Sequence, residues 1–174
     1  MKYEKCLSVL GDAWGYEKIG EDPNELLSAD KLKRILSDCI TRNMTLLVNV
    51  GPGRHGVIPA AEANVLREVG QWLSKVGEAV KGTRGGPWDP EDEKFGYCYK
   101  DKIIYVYLYK VYEGGSFTLP TVGGRDAVRV YNVYDKKPLP FKQNKKHEVT
   151  ASGINRSQHP EVTIIAVRLN KKLF

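Results

Sequence analysis

From Ala29 to Thr41, the apolar residues Leu32, Ile35, Leu36, Cys39 and Ile40 recur at i, i+3, i+4, i+7 and i+8. That spacing is one stripe of an amphipathic helix, and Ser28 stands where an N-cap belongs. The pattern then changes. Met44-Thr45-Leu46-Leu47-Val48-Asn49-Val50 is a short, almost continuous apolar run, as in a parallel strand covered on both faces. Gly51-Pro52-Gly53-Arg54-His55-Gly56 breaks it as a loop. Pro59 opens a second helix whose apolar face is Val65, Leu66, Val69, Trp72, Leu73 and Val76, with Gly77 near its end. Helix, strand, loop, helix is the grammar of a βα repeat.

After Gly82-Thr83-Arg84-Gly85-Gly86-Pro87-Trp88-Asp89-Pro90 the grammar changes again. Tyr97–Tyr99, Ile103–Tyr109, Phe117–Leu119, Val128–Tyr131, His147–Ala151 and Val162–Arg168 read as short strands. Gly114-Gly115, Gly123-Gly124 and Pro138 to Pro140 punctuate them, as in an antiparallel sheet or sandwich. Tyr105, Tyr107 and Tyr109 alternate, which puts all three on one face, suited to packing against a neighbouring domain. The first half has a deficit: one strand with two flanking helices cannot bury a parallel sheet. It reads as the end of a larger α/β domain, with Leu46, Leu47, Val48 and Val50 as an exposed, self-associating edge.

Composition supports two units. The chain has 174 residues, enough for one domain or two small ones. Residues 1–81 hold 11 basic and 11 acidic residues, whereas residues 82–174 hold 16 and 10 and carry the whole net charge of +6. Eight of the ten tyrosines lie beyond residue 90. No uncharged apolar run approaches the ~18–20 residues that cross a bilayer, and Met1-Lys2-Tyr3-Glu4 does not open a signal peptide, so no membrane association is expected. Cys6, Cys39 and Cys98 are too sparse for a disulfide framework and read as small buried apolar residues. His55, His147 and His159 show no metal-ligand spacing, so no metal or other cofactor is expected. Lys136-Lys137, Lys142, Lys145-Lys146 and Lys171-Lys172 are candidate phosphate contacts, with tyrosines as stacking surfaces. Lysine clusters in loops are usually solvated, so no nucleic-acid partner is expected.

Chemistry in α/β folds sits at the carboxyl ends of parallel strands. Asn49 and the Gly51–Gly56 loop occupy such an end. Gly-Pro-Gly also suits a plain turn, and the loop lacks the GK[ST] ending of a phosphate loop. By itself, Glu4 reads as a solvated charge near a terminus.

Three segments, in order, resemble the α-L-fucosidases, family 29 of the glycoside hydrolases. Tyr3-Glu4-Lys5-Cys6 through Ala13-Trp14-Gly15-Tyr16 is similar to "WExC…SWGY". Leu46-Leu47-Val48-Asn49-Val50-Gly51-Pro52 with Gly56-Val57-Ile58-Pro59 is similar to "LLLNVGPxxDGxIP". Val69-Gly70-Gln71-Trp72-Leu73 through Gly77-Glu78-Ala79-Val80 and Gly82-Thr83 is similar to "iGxWLxxNGEaIYGT". The resemblance covers residues 3–83. It implies an α/β plus all-β protein: the last βα units of a (β/α)8-like barrel in residues 1–83, then a C-terminal antiparallel β-sandwich in residues 84–174.

It further implies a retaining exo-glycosidase acting on terminal α-L-fucose, with a fucosylated glycan or glycoside as partner. Glu4 falls at the glutamate of "WE" and is the candidate acid/base. Trp14 and Tyr16 would wall the pocket for the sugar's apolar face, with Asn49 and His55 as further substrate-side residues. Family members are often secreted, periplasmic or lysosomal; the chain itself fixes no compartment. Tyr3 replaces the usual Trp, His55 the usual Asp of "DG", and Met44-Thr45 a usual Gly-Asn. No Asp precedes Glu4, so the nucleophile is unassigned; Asp12, Asp22, Asp30 and Asp38 are the first candidates, and an active short chain would need to form a homo-oligomer or use one of them. The alternative is a non-catalytic carbohydrate-binding or accessory β-module in the second half.

Overall fold

A computed structural model describes residues 3–174. β1 (Tyr3–Ser8) and β2 (Met44–Asn49) pair in parallel, Tyr3 opposite Met44 through Ser8 opposite Asn49. The connection runs through short 3-10 turns at Lys18–Glu21 and Pro23–Glu25, then α1 (Ala29–Thr41). The Ser28 hydroxyl caps α1 by accepting from the Lys31 N–H at 3.2 Å, satisfying one donor of the open first turn. α2 (Ala60–Val76) follows β2, with Pro59 as N-cap and Gly77 as C-cap. Both helices therefore lie where their periodicity puts them.

The remainder is antiparallel. β3 (Arg84–Gly85), β4 (Phe95–Lys100), β5 (Ile103–Tyr109), β7 (Ala127–Asn132) and β10 (Val162–Leu169) form one sheet, in the order β3-β4-β5-β10-β7. β6 (Ser116–Leu119), β9 (Val149–Ser152) and β8 (Phe141–Gln143) form a second, ordered β6-β9-β8. The pattern of the sequence does not show β3 or β8: strands of two and three residues are too short to display a period. His147, read as the start of a strand, has φ of +60° and sits in the turn before β9. No closed barrel forms among the described residues.

Four layers stack. Leu7, Leu46 and Val48 of the parallel pair pack on Leu32 of α1 and Val69 of α2. On their other side the helices present Leu36, Ile40, Trp72 and Val76 to the five-stranded sheet, where they meet Tyr105, Tyr107 and Tyr109. The opposite face of that sheet, with Ile104, Val106 and Leu108, shares a core with Phe117, Leu119, Val149 and Ala151 of the smaller sheet. β5 is thus buried on both sides, which accounts for its unbroken apolar sequence. The tyrosine row packs against helices, as its alternation suggests: Tyr109 bonds the Thr41 hydroxyl at 3.2 Å and Tyr107 donates to the Ala79 carbonyl, while on β7 Tyr131 donates to Glu78 at 3.0 Å. Gly96 lets the end of α1 seat directly on β4, since a Cβ there would lie 2.6 Å from the Thr41 hydroxyl oxygen.

β2 departs from expectation. Its helix side is covered, but Leu47, on the other face, is 43% exposed. The continuous apolar run reads as a strand covered twice, and only one cover is present among the described residues. Tyr3, Trp14, Tyr16, Ile19, Val57 and Ile58 are exposed as well. Of the cysteines, Cys39 and Cys98 are buried as read from the sequence, whereas Cys6 is exposed on β1.

Candidate substrate site at the strand ends

The carboxyl ends of β1 and β2 carry a compact polar lattice. Asn49, the last residue of β2, donates from Nδ2 to the Trp14 carbonyl at 3.0 Å and to the Ser8 hydroxyl at 3.4 Å. Gly51 lies directly under the Trp14–Tyr16 segment: a Cβ at Gly51 would come within 2.5 Å of the Gly15 carbonyl oxygen. Only glycine admits that approach. The Gly51 N–H donates to Glu62 Oε2 at 2.9 Å. Glu62 is fully buried in the first turn of α2, and its Oε1 has no hydrogen-bond partner among the described residues. Gly20 closes over that oxygen, where a Cβ would lie 3.1 Å away. One carboxylate therefore ties the β2–α2 loop to the first turn of α2, with Gly20 packed over its second oxygen.

Tyr16 and His55 share an open cleft of about 640 Å³ with Glu21, Gly53, Arg54 and Val57. The Tyr16 hydroxyl donates to Glu21 Oε1 at 2.8 Å, and this bond to a carboxylate, with burial adding, raises its pKa. Arg54 Nε donates to His55 Nε2 at 3.0 Å. The loop is closed by Gly53 N–H to the Val57 carbonyl at 2.9 Å and Gly56 N–H to the Gly53 carbonyl at 2.8 Å. Trp14 is 54% exposed beside this cleft's strand end. The structure thus brings Tyr16 and His55 into one cleft and joins Trp14 to Asn49.

Glu4 does not join them. It is the second residue of β1, opposite Thr45, four residues before the strand end and hence about 13 Å along the strand from Ser8. Its carboxylate accepts from the Thr45 hydroxyl at 3.2 Å and the Cys6 thiol at 3.7 Å. Partial desolvation by neighbouring atoms, then the Glu4 carboxylate, raises the Cys6 pKa. Nor is a second carboxylate gathered at the cleft from the aspartates. Asp22 caps the Asn24 N–H at 2.9 Å, Asp30 pairs with Lys33 at 2.8 Å, and Asp38 pairs with Arg42 at 3.1 Å. Asp12 lies exposed after β1. Sequence reasoning passed over Glu62 and Glu21. The signal for Glu62 was a lone acid among Ala60, Ala61 and Ala63; Glu21 carried none.

Among the described residues no three His, Cys, Asp or Glu side chains converge as a metal site. No helix is long and apolar enough to cross a membrane.

In α/β folds, such carboxyl ends of parallel strands are where ligands bind. The family model for alpha-L-fucosidase matches residues 1–78. Plasma alpha-L-fucosidase of Rattus norvegicus is 33% identical over 165 residues, covering 91% of this chain and 35% of that protein. A putative alpha-L-fucosidase of Caenorhabditis elegans is 36% identical over 87 residues, 50% of this chain and 17% of that protein. Alpha-L-fucosidase isoenzyme 1 from Paenibacillus thiaminolyticus superposes with a TM-score of 0.79 at 23% identity, over 98% of this chain and 40% of that one. The Thermotoga maritima alpha-fucosidase in complex with fucose gives 0.74 at 23%, over 95% and 40%. The chain belongs to the α-L-fucosidase family and corresponds to a C-terminal portion of its members. It spans between 17% and 35% of the two curated relatives named.

Proposed function

We propose that the chain is the C-terminal part of a retaining α-L-fucosidase: residues 1–83 supply the last βα units of a (β/α)8-like barrel, and residues 84–174 form a β-sandwich behind it. The observation that carries this reading is the parallel β1–β2 pair, joined through α1 and followed by α2, with Trp14, Tyr16, Asn49 and His55 around its carboxyl end. A parallel sheet is ordinarily covered on both faces. Here one face has helices and the other presents Leu47, as a strand from the wall of an unclosed barrel would.

In this reading Trp14 and Tyr16 face the methyl group and C–H surface of an α-L-fucosyl unit, where aromatic rings supply apolar area at fixed orientation. Asn49 sets Trp14 through its carbonyl, and Glu62 sets the loop that carries His55. Retaining hydrolysis needs two carboxylates about 5–5.5 Å apart. Glu4 keeps the role of acid/base in this reading: it is exposed on β1, and its carboxylate is positioned by the Thr45 hydroxyl and the Cys6 thiol. No aspartate is gathered at the cleft among the described residues, so the nucleophile stays unassigned. The accessory-module alternative is not favoured, because the family model matches residues 1–78 and the rat relative aligns over 91% of the chain, taking in both halves together.

The test is an assay of the purified, folded chain on 4-nitrophenyl α-L-fucoside, alone and with Glu4→Gln. The chain alone is expected to give no turnover above background. Turnover that Glu4→Gln abolishes would overturn the incomplete-site reading while supporting Glu4 as the acid/base.

A further inference from the structure

Helices cover most of the five-stranded sheet's tyrosine-bearing face. Past the 3-10 turn Gly77–Ala79 that cover ends, and a cavity of about 500 Å³ opens over Ile103 and Tyr105. Its walls bring Lys100 from the end of β4, Lys102 from the turn after it, Arg168 from β10, and Lys172, against two carboxylates, Glu78 and Asp101. Both carboxylates already have partners. Glu78 Oε1 accepts from Lys136 at 3.1 Å and from the Tyr131 hydroxyl at 3.0 Å, and Asp101 pairs with Lys172 at 3.6 Å. Lys100 and Lys102 donate to backbone carbonyls, those of Lys81 at 3.1 Å and Asn170 at 3.3 Å. These two lysines and Arg168 make no ion pair among the described residues.

The register adds a second observation. Arg168 stands directly opposite Arg129 of β7. Like charges at opposed positions of an antiparallel pair repel, by about 0.2–1 kcal/mol. Arg129 rests over the Tyr131 ring, 4.8 Å from its centroid, and Arg168 is exposed at the cavity. Tyr105 forms the floor, 2% exposed, its hydroxyl without a hydrogen-bond partner among the described residues. Burial first, with Glu78 adding, raises its pKa, so the phenol stays a donor.

We propose that this cavity is a second binding site, separate from the strand ends, for an anionic saccharide carrying a sulfate ester. Three cations without carboxylate partners and a phenol donor suit the oxygens of a tetrahedral oxyanion. Ile103 adds a partly exposed apolar surface for a sugar's C–H face. The volume lies in the range of small-ligand pockets, about 300–1,000 Å³. A nucleic-acid strand fits less well, because Tyr97, Tyr105, Tyr107, Tyr109 and Tyr131 are buried and cannot stack bases. The saccharide half of the assignment rests on the fucosidase reading; the oxyanion half does not.

The test is calorimetric titration of the full chain with a sulfated heparin hexasaccharide, its chemically desulfated counterpart, inorganic sulfate and a single-stranded oligonucleotide. The sulfated sugar is expected to bind at least tenfold more tightly than each of the other three. Arg168→Gln with Lys102→Gln should weaken it at least tenfold, while Lys142→Gln leaves it unchanged; Lys100→Gln serves as a further single variant if the double variant melts early. Equal binding of the desulfated sugar, of inorganic sulfate or of the oligonucleotide, or indifference to Arg168 and Lys102, would overturn the site. Turnover is not read, so a failed fucoside assay and a failed titration are distinguishable.

Discussion

The two halves of the molecule solve the burial problem differently. The β-rich half is covered on both faces: β5 meets helices on one side and the smaller sheet on the other. The parallel pair has one cover, and Tyr3, Leu47, Val57 and Ile58 face outward around it. Both halves use the same two helices, which pack on the parallel pair with one stripe and on the tyrosine row with another. A helix layer with two apolar stripes lets an incomplete sheet borrow stability from a complete one. The unfinished face then marks what the chain has to meet, rather than a defect in its own folding.

That comparison breaks most completely at alkaline pH. Burial pushes Tyr97, Tyr109 and Tyr131, all in the β-rich half, up to about 12 from an ordinary value near 10. A raised folded-state pKa means stability that is whole below about pH 10 and is lost as pH rises toward 12. Circular dichroism with tyrosinate absorbance should show the β-rich half unfolding in that window, and loss of structure well below pH 10 would sink the account. Trp72→Ala comes next. Trp72 is 4% exposed between α2 and the tyrosine row, and its truncation should remove about 3–5 kcal/mol. A single lowered thermal transition would show that the halves are coupled through the helices; two separated transitions would show that they are not.

Smaller effects sharpen the contrast. Tyr107→Phe removes a buried hydroxyl that donates to the Ala79 carbonyl, and urea unfolding should register about 1 kcal/mol. No change would mean that the Cys98 thiol, 3.2 Å from the same carbonyl, suffices. Leu47→Lys, on the uncovered face, should alter stability by less than about 0.5 kcal/mol. In sedimentation velocity it should reduce self-association of the parallel pair. A monodisperse parent chain at high concentration would remove that prediction's basis.

Much of this was written locally. The stripe from Leu32 to Ile40, the Ser28 cap, the Pro59 start and the alternation of Tyr105, Tyr107 and Tyr109 fixed both helices and the face of β5 before any contact was known. Those features depend on residues a few positions apart, through helical and pleated periods and through capping bonds. The ordered motifs over residues 3–83 likewise carried the family. Tertiary structure alone decided that Glu4 lies opposite Thr45, because strand register is set by pairing with β2, thirty-six residues beyond the end of β1. It alone put Glu62 beneath Gly51, since a helix and a loop must meet for a carboxylate to find that N–H. It also set Arg168 against Arg129. Sequence holds those two charges 39 positions apart, and only the register of β10 on β7 makes them neighbours.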